Sequence, residues 1–167
     1  IVTDKNGNPL AGQIITVSTD TGVILGAISP TNTAGETEFS ITSTEAKQYK
    51  ITAELNGSSQ SVSVDFIADT STAQLDKSAM TVVKNDAKAD KIEINQIKVK
   101  IIDANNNPVK GQKVTVTADP HIGISPIPET DINGEAIISL TSSLPGPSVI
   151  TLSINNSTQD VTVTFTS

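Results

Sequence analysis

"DKNGNPLAGQ" occupies residues 4–13, and "DANNNPVKGQ" occupies residues 103–112. One turn phrase is written twice, and the spacing between the copies decides the fold. Shifted by 99 positions, residues 1–68 lie on 100–167 without a gap, and roughly a third of the pairs are identical. Asn8-Pro9 falls on Asn107-Pro108, Gly12-Gln13 on Gly111-Gln112, and Gly35-Glu36 on Gly134-Glu135. Self-similarity at a fixed period marks a tandem array. A period of about 100 residues is the size of one sandwich of two antiparallel sheets.

The recurring positions make physical sense as turns and faces. Asn6-Gly7 becomes Asn105-Asn106, and Gly and Asn are the residues that tolerate positive φ, so the backbone demand survives the exchange. Pro9 and Pro108 fix their own φ and push the preceding Asn to an extended conformation. Between the turns the chain alternates as a half-buried sheet does. Ile15 and Val17 oppose Thr16 and Ser18, and Val114 and Val116 oppose Thr115 and Thr117. Thr37, Phe39 and Ile41 alternate with Glu38, Ser40 and Thr42, which predicts a strand there. Ile51, Ala53 and Leu55 match Ile150, Leu152 and Ile154, and Val62, Val64 and Phe66 match Val161, Val163 and Phe165. "STEAKQYK" (residues 43–50) is helix-tolerant, but its partner "SSLPGPSV" (residues 142–149) carries two Pro; both read as loops.

The alignment leaves residues 69–99 without a counterpart before Ile1. They hold "MTVVKN" (80–85), a loop "DAKAD" (86–90) and the start of a long apolar stretch, "KIEINQIKVKIID" (91–103). The apolar phase slips near Asn95-Gln96, which predicts a β-bulge in that strand. The polar stretch "TAQLDKSAM" (72–80) reads as a short junction. The expectation is an all-β chain of tandem immunoglobulin-like sandwiches: residues 1–69 form a domain lacking its first strands, and residues 70–167 form a complete one. Starting at Ile1, the chain reads as an excerpt of a longer protein.

Composition narrows the function. The chain has 167 residues and a net charge of -7, with scattered Lys and no Arg. Phosphate recognition needs clustered cationic side chains, so nucleic acid is not expected as a partner. No apolar run is long enough to span a bilayer as a helix. Without Cys there is no disulfide framework and no thiolate metal site.

Candidate site residues are few. His121 is the single His and is expected to be a loop residue, because a metal ligand or catalytic base needs partners. "DKNGN" (4–8) opens like a calcium loop, but Pro9 and Ile15 stand where an EF-hand wants Gly and a bidentate Glu. The hairpin reading is therefore preferred. Asp69, Asp76 and Asp90 gather near the join between repeats and leave a calcium ion there as an open alternative. No Ser lies in G-x-S-x-G or beside an evident base. Four aromatic residues in the whole chain are too few to line a carbohydrate cleft. No catalytic, cofactor-binding or metal-ligating residue is expected, and neither an enzyme activity nor a small-molecule substrate.

"IIDANNNPVKGQKVTVTAD", "TDINGEAIISLTSSLPGPSVITLSIN" and "VTVTF" together resemble the bacterial Ig-like (Big-1) domain of the intimin/invasin family. That pattern reads roughly "VtDanGnPv.G..Vtf", "TdanGvAtvtltst.aG.ytvtA.vng" and "v.v.F", and the resemblance extends over both repeats. It implies Ig-like sandwiches of an inverse autotransporter, anchored in the outer membrane through a barrel outside this fragment and exposed on the bacterial surface. A stalk segment carrying an adhesive region towards host cells is the first reading. The alternative is a directly adhesive module whose loops, at residues 120–129 or 143–147, bind a host protein or glycan. The implied partners are neighbouring Ig-like domains of the same chain and a host cell-surface or matrix protein. Gram-positive pilin-like Ig domains share the "D-x-N-G-x-P-x-x-G" turn, and a Lys–Asn crosslink of that type would shorten the intact mass by one ammonia.

Overall fold

The computed structural model describes residues 1–167, which divide into a first unit, Ile1–Ile67, and a second, Ala68–Ser167. Both are built from strands, and together they have the all-β, Ig-like architecture that the repeat predicts.

In the first unit β1 (Thr16–Thr19) pairs with β4 (Gln48–Leu55), and β4 with β5 (Ser58–Asp65), all antiparallel. Two short strands, β2 (Ile24–Leu25) and β3 (Ile41–Thr42), form a separate ladder. The β4–β5 hairpin turns through Asn56 and Gly57, both at positive φ, the pair that a two-residue hairpin favours. The core is small. Tyr49 and Ile51 are its buried hydrophobic side chains, and the Tyr49 ring meets Phe66 edge-on at 5.7 Å.

The second unit opens with a 3₁₀ turn, Thr70–Thr72. It continues through β6 (Gln74–Leu75), β7 (Thr81–Lys84), β8 (Ala87–Lys88), β9 (Asn95–Ile102), β10 (Thr115–Thr117) and β11 (Ile122–Ile124), and ends with β12 (Glu135–Ser142), β13 (Gly146–Ile154) and β14 (Ser157–Thr166). One sheet has the order β11-β12-β9-β6, with β7 also on β9; the other has the order β10-β13-β14-β8. The inner faces of the two sheets supply one core, which contains Ile97, Val99, Ile101, Ile138, Leu140, Ile150, Leu152, Val163 and Phe165. Each is an alternate residue of its strand, as a sheet packed on one face requires.

Several expectations are corrected. Residues 37–43 keep their alternating exposure, yet only Ile41–Thr42 is a strand. The matching β12 pairs with β9 along Glu135 to Leu140, whereas the first unit has no β9 counterpart beyond Ile1 in this sequence. The stretch 91–103 is not one bulged strand. Strand β9 starts at Asn95, and Ile92 before it is 80% exposed, so the phase slip is the strand's beginning. The register shift lies instead on the partner β7, between Val82 and Lys84. Residues 72–80 are not a linker: Ala73 and Leu75 are buried in the second core, and β6 pairs with β9. "DAKAD" holds the short β8, which pairs parallel to β14. Strands β4 and β13 begin inside the two stretches read as loops. Pro147 is tolerated because β10 covers β13 only at residues 151–153, leaving Pro147 on an unpaired edge.

Candidate functional site

The repeated turn is a carboxylate cage. Asp103 is 1% exposed, and its carboxylate accepts hydrogen bonds from the amides of Asn105 at 2.8 Å, Asn107 at 2.9 Å and Asp69 at 3.1 Å. The Asn107 side chain donates as well, at 3.0 Å to Oδ2. Burial pushes the Asp103 carboxyl up, but the Asn107 side chain and the surrounding amides outweigh it and hold the group below its ordinary value. Asp4 repeats the arrangement with Asn6 and Asn8. There the Asn8 side chain is the main cause of the lowered value. In both units the "D-x-N-x-N" phrase is therefore a turn closed on its Asp by its own amides and amide side chain, and in the second unit the Asp69 amide adds a donor from outside it. Asn106 takes the place of Gly7 with φ 66° against 85°.

The carboxylates near the repeat boundary are each spent locally. Asp69 accepts from the amide and hydroxyl of Ser71, Asp76 from those of Ser78, and Asp90 from the amides of Ile92 and Glu93. No three carboxylates or imidazoles come together in a metal-sized group.

His121 is half-buried, and its Nε2 lies 3.2 Å from Ser148 Oγ. A Ser does therefore sit beside a base, contrary to the sequence reading. The two are 27 residues apart in sequence and meet only because the segment entering β11 approaches β13. The pair is not arranged for nucleophilic attack. Ser148 is 3% exposed, and no carboxylate orients the imidazole. The repeat explains the pair better. Gly22 and Tyr49 hold the aligned positions in the first unit, and a Cβ on Gly22 would stand 2.9 Å from the Tyr49 hydroxyl. A large ring opposite Gly in one unit corresponds to a small Ser opposite His in the other. Both pairs fill one space.

Buried Asn95 was not singled out in the sequence. Its Oδ1 accepts from the Ala87 amide at 3.0 Å, and its Nδ2 donates to the Thr164 carbonyl at 2.8 Å. It thus ties β8 and β14 to β9 through one backbone group on each. The phase slip beside it was the available signal.

The model for the bacterial Ig-like domain (group 1) matches residues 1–67 and again 77–166. The chain belongs to this family. The inverse autotransporter adhesin YeeJ of Escherichia coli (strain K12) is 32% identical over 168 residues, which is 96% of this chain and 7% of that protein. The group 1 Ig-like chain thus spans a small fraction of the curated relative it matches. The D0-D1 domain of intimin shares 27% identity over 99% of this chain and 87% of its own, with a TM-score of 0.50. InvD of Yersinia pseudotuberculosis, at 18% identity over 98% of this chain and 50% of its own, superposes with a TM-score of 0.70 and shows the same fold.

Proposed function

We propose that this Ig-like chain is a stalk segment of a Gram-negative surface adhesin of intimin/invasin type, anchored in the outer membrane by a barrel outside the sequence described. It holds an adhesive region towards host cells and carries no catalytic site. The observation that carries the reading is likeness along 96% of the chain to an inverse autotransporter adhesin. The local use of the polar side chains supports it. Asp4, Asp69, Asp76, Asp90 and Asp103 each bind the amides of their own turns, so they stiffen loops rather than face a ligand.

The rival reading is direct adhesion through residues 120–129 and 143–147 to a host protein or glycan. Leu144 is 55% exposed on the second of these loops, which gives that reading one apolar contact. Neither loop carries the Tyr, Trp or Arg that anchor most protein interfaces. Binding of the purified chain to cultured epithelial cells and matrix proteins, against an unrelated Ig-like control, separates the two. The stalk reading expects no saturable binding above the control. Saturable binding that Leu144→Asp abolishes would replace it with the adhesive module.

A further inference from the structure

An Asn followed two positions later by Ser or Thr, with no Pro between, is the acceptor motif for an N-linked sugar. The chain writes it three times, as Asn56-Gly57-Ser58, Asn155-Asn156-Ser157 and Asn156-Ser157-Thr158. All three copies lie at hairpin tips, where β4 turns into β5 and β13 into β14. In a chain this rich in Ser and Thr the motif alone decides nothing. Its surroundings decide which copy is usable.

Transfer needs a side-chain nitrogen that is reachable and not already donating to a buried partner. Asn155 fails this requirement. Its Nδ2 donates to the Ala73 carbonyl at 2.8 Å, and the hydroxyl of Ser157 accepts from the Leu75 amide at 3.1 Å. Both polar side chains of that copy are spent on holding β6 and the residue before it to the hairpin. Asn156 meets the requirement. It is exposed, no hydrogen bond holds its side chain, and Thr158 is exposed as well. A groove of about 680 Å³ runs beside it, lined by Ser71, Thr72, Gln74, Asp76 and Lys77 together with the hairpin tip. That is the size of a small-molecule site, and the exposed Gln74 and Lys77 side chains offer donors to sugar hydroxyls. In the repeat, Asn56 aligns with Asn155, and Gly57 stands where Asn156 does. The free copy therefore belongs to the second unit alone.

We propose that Asn156 is an N-glycosylation site. The co-substrate is a sugar activated through a diphosphate, delivered by a transferase. Asn156 Nδ2 bonds to the anomeric carbon as the bond from that carbon to the diphosphate oxygen breaks. The diphosphate leaves with the electron pair, the amide gives one proton to a base of the transferase, and nothing is oxidised or reduced. The product carries a bulky, solvated group on the β13–β14 tip. The proposal stands apart from the stalk and adhesive readings, since either kind of segment could carry the sugar.

The test recovers the protein from the surface of the cells that make it and cleaves it before Asp. Residues 131–159 then form one peptide that holds Asn155 and Asn156, and electron-transfer fragmentation locates any added mass. A sugar is expected on Asn156 and none on Asn155. A single hexose would mark a nucleotide-linked donor, and a preassembled oligosaccharide a lipid-linked one. In the same cells Thr158→Ala is expected to lower the modified fraction about tenfold or more, while Asn155→Gln leaves it unchanged. Amide exchange of β13 and β14 serves as the folding check in each variant. Four results would overturn the proposal. The peptide comes back unmodified; the sugar sits on Asn155; Thr158→Ala is modified as fully as the parent; or the sugar survives Asn156→Gln, which would place it on a Ser or Thr hydroxyl.

Discussion

At residue scale the repeat can be read as one set of constraints solved twice. Gly134 has φ 72°, and a Cβ there would run into the Ile101 carbonyl; Gly35 has φ 74° and faces Val2 in the same way. Both strain and close approach therefore demand Gly. Gly134→Val is expected to destabilise the second unit by about 1–3 kcal/mol, read as a lowered melting midpoint of that unit while the circular dichroism of Tyr49, in the first core, stays put. The exchange between Tyr49 with Gly22 and Ser148 with His121 makes a second prediction. Ser148→Tyr overpacks the space beside His121 and is expected to cost about 1–3 kcal/mol. Adding His121→Gly should recover part of that loss, with a coupling of about 0.5–3 kcal/mol in the double-mutant cycle. Strict additivity would mean that the two positions do not share a space.

At the scale of elements, Asn95 and the Asp103 turn set where strands begin and meet. Asn95→Ala removes the buried side-chain amide and leaves the Ala87 amide without its acceptor, while the Thr164 carbonyl keeps the Asp86 amide. A loss of about 1–3 kcal/mol is expected, with β8 amides exchanging first. The Asp103 carboxyl titrates lower in the folded chain than in the unfolded one. The stability it contributes is therefore complete above the unfolded value of about 3.9 and is lost as pH falls through the lower folded value. Acid titration of the second unit should show stability falling below about pH 4, and Asp103→Asn should flatten that slope. An unaltered slope would place the titrating group elsewhere. The turns themselves were legible in the sequence, because Gly, Asn and Pro at fixed offsets carry their own backbone demands. The boundaries of β9 were not. Ile92 and Ile94 continue an apolar pattern that local reading cannot distinguish from a strand, and only the pairing with β12 shows that the ladder begins at Asn95. His121 beside Ser148 was equally hidden, being a contact between the turn before β11 and strand β13, 27 residues apart in sequence.

At the scale of the whole chain, two copies of one domain phrase recur, and residues 69–99 of the second have no counterpart among residues 1–68. Tandem architecture was legible because side-chain alternation and turn phrases recur together. The unequal cores were foreshadowed by the missing counterpart, but the failure of residues 37–40 to form a strand was not. Their sequence alternates as well as that of β12, and what they lack is a partner. Native-state hydrogen exchange on the unmodified chain tests this most directly, because it reads both copies in one sample. The account predicts that amides of Ala136 to Leu140 exchange slowly, at the rate of the second unit's global unfolding, while those of residues 37–40 exchange orders of magnitude faster. Equal protection at the two aligned stretches would contradict it.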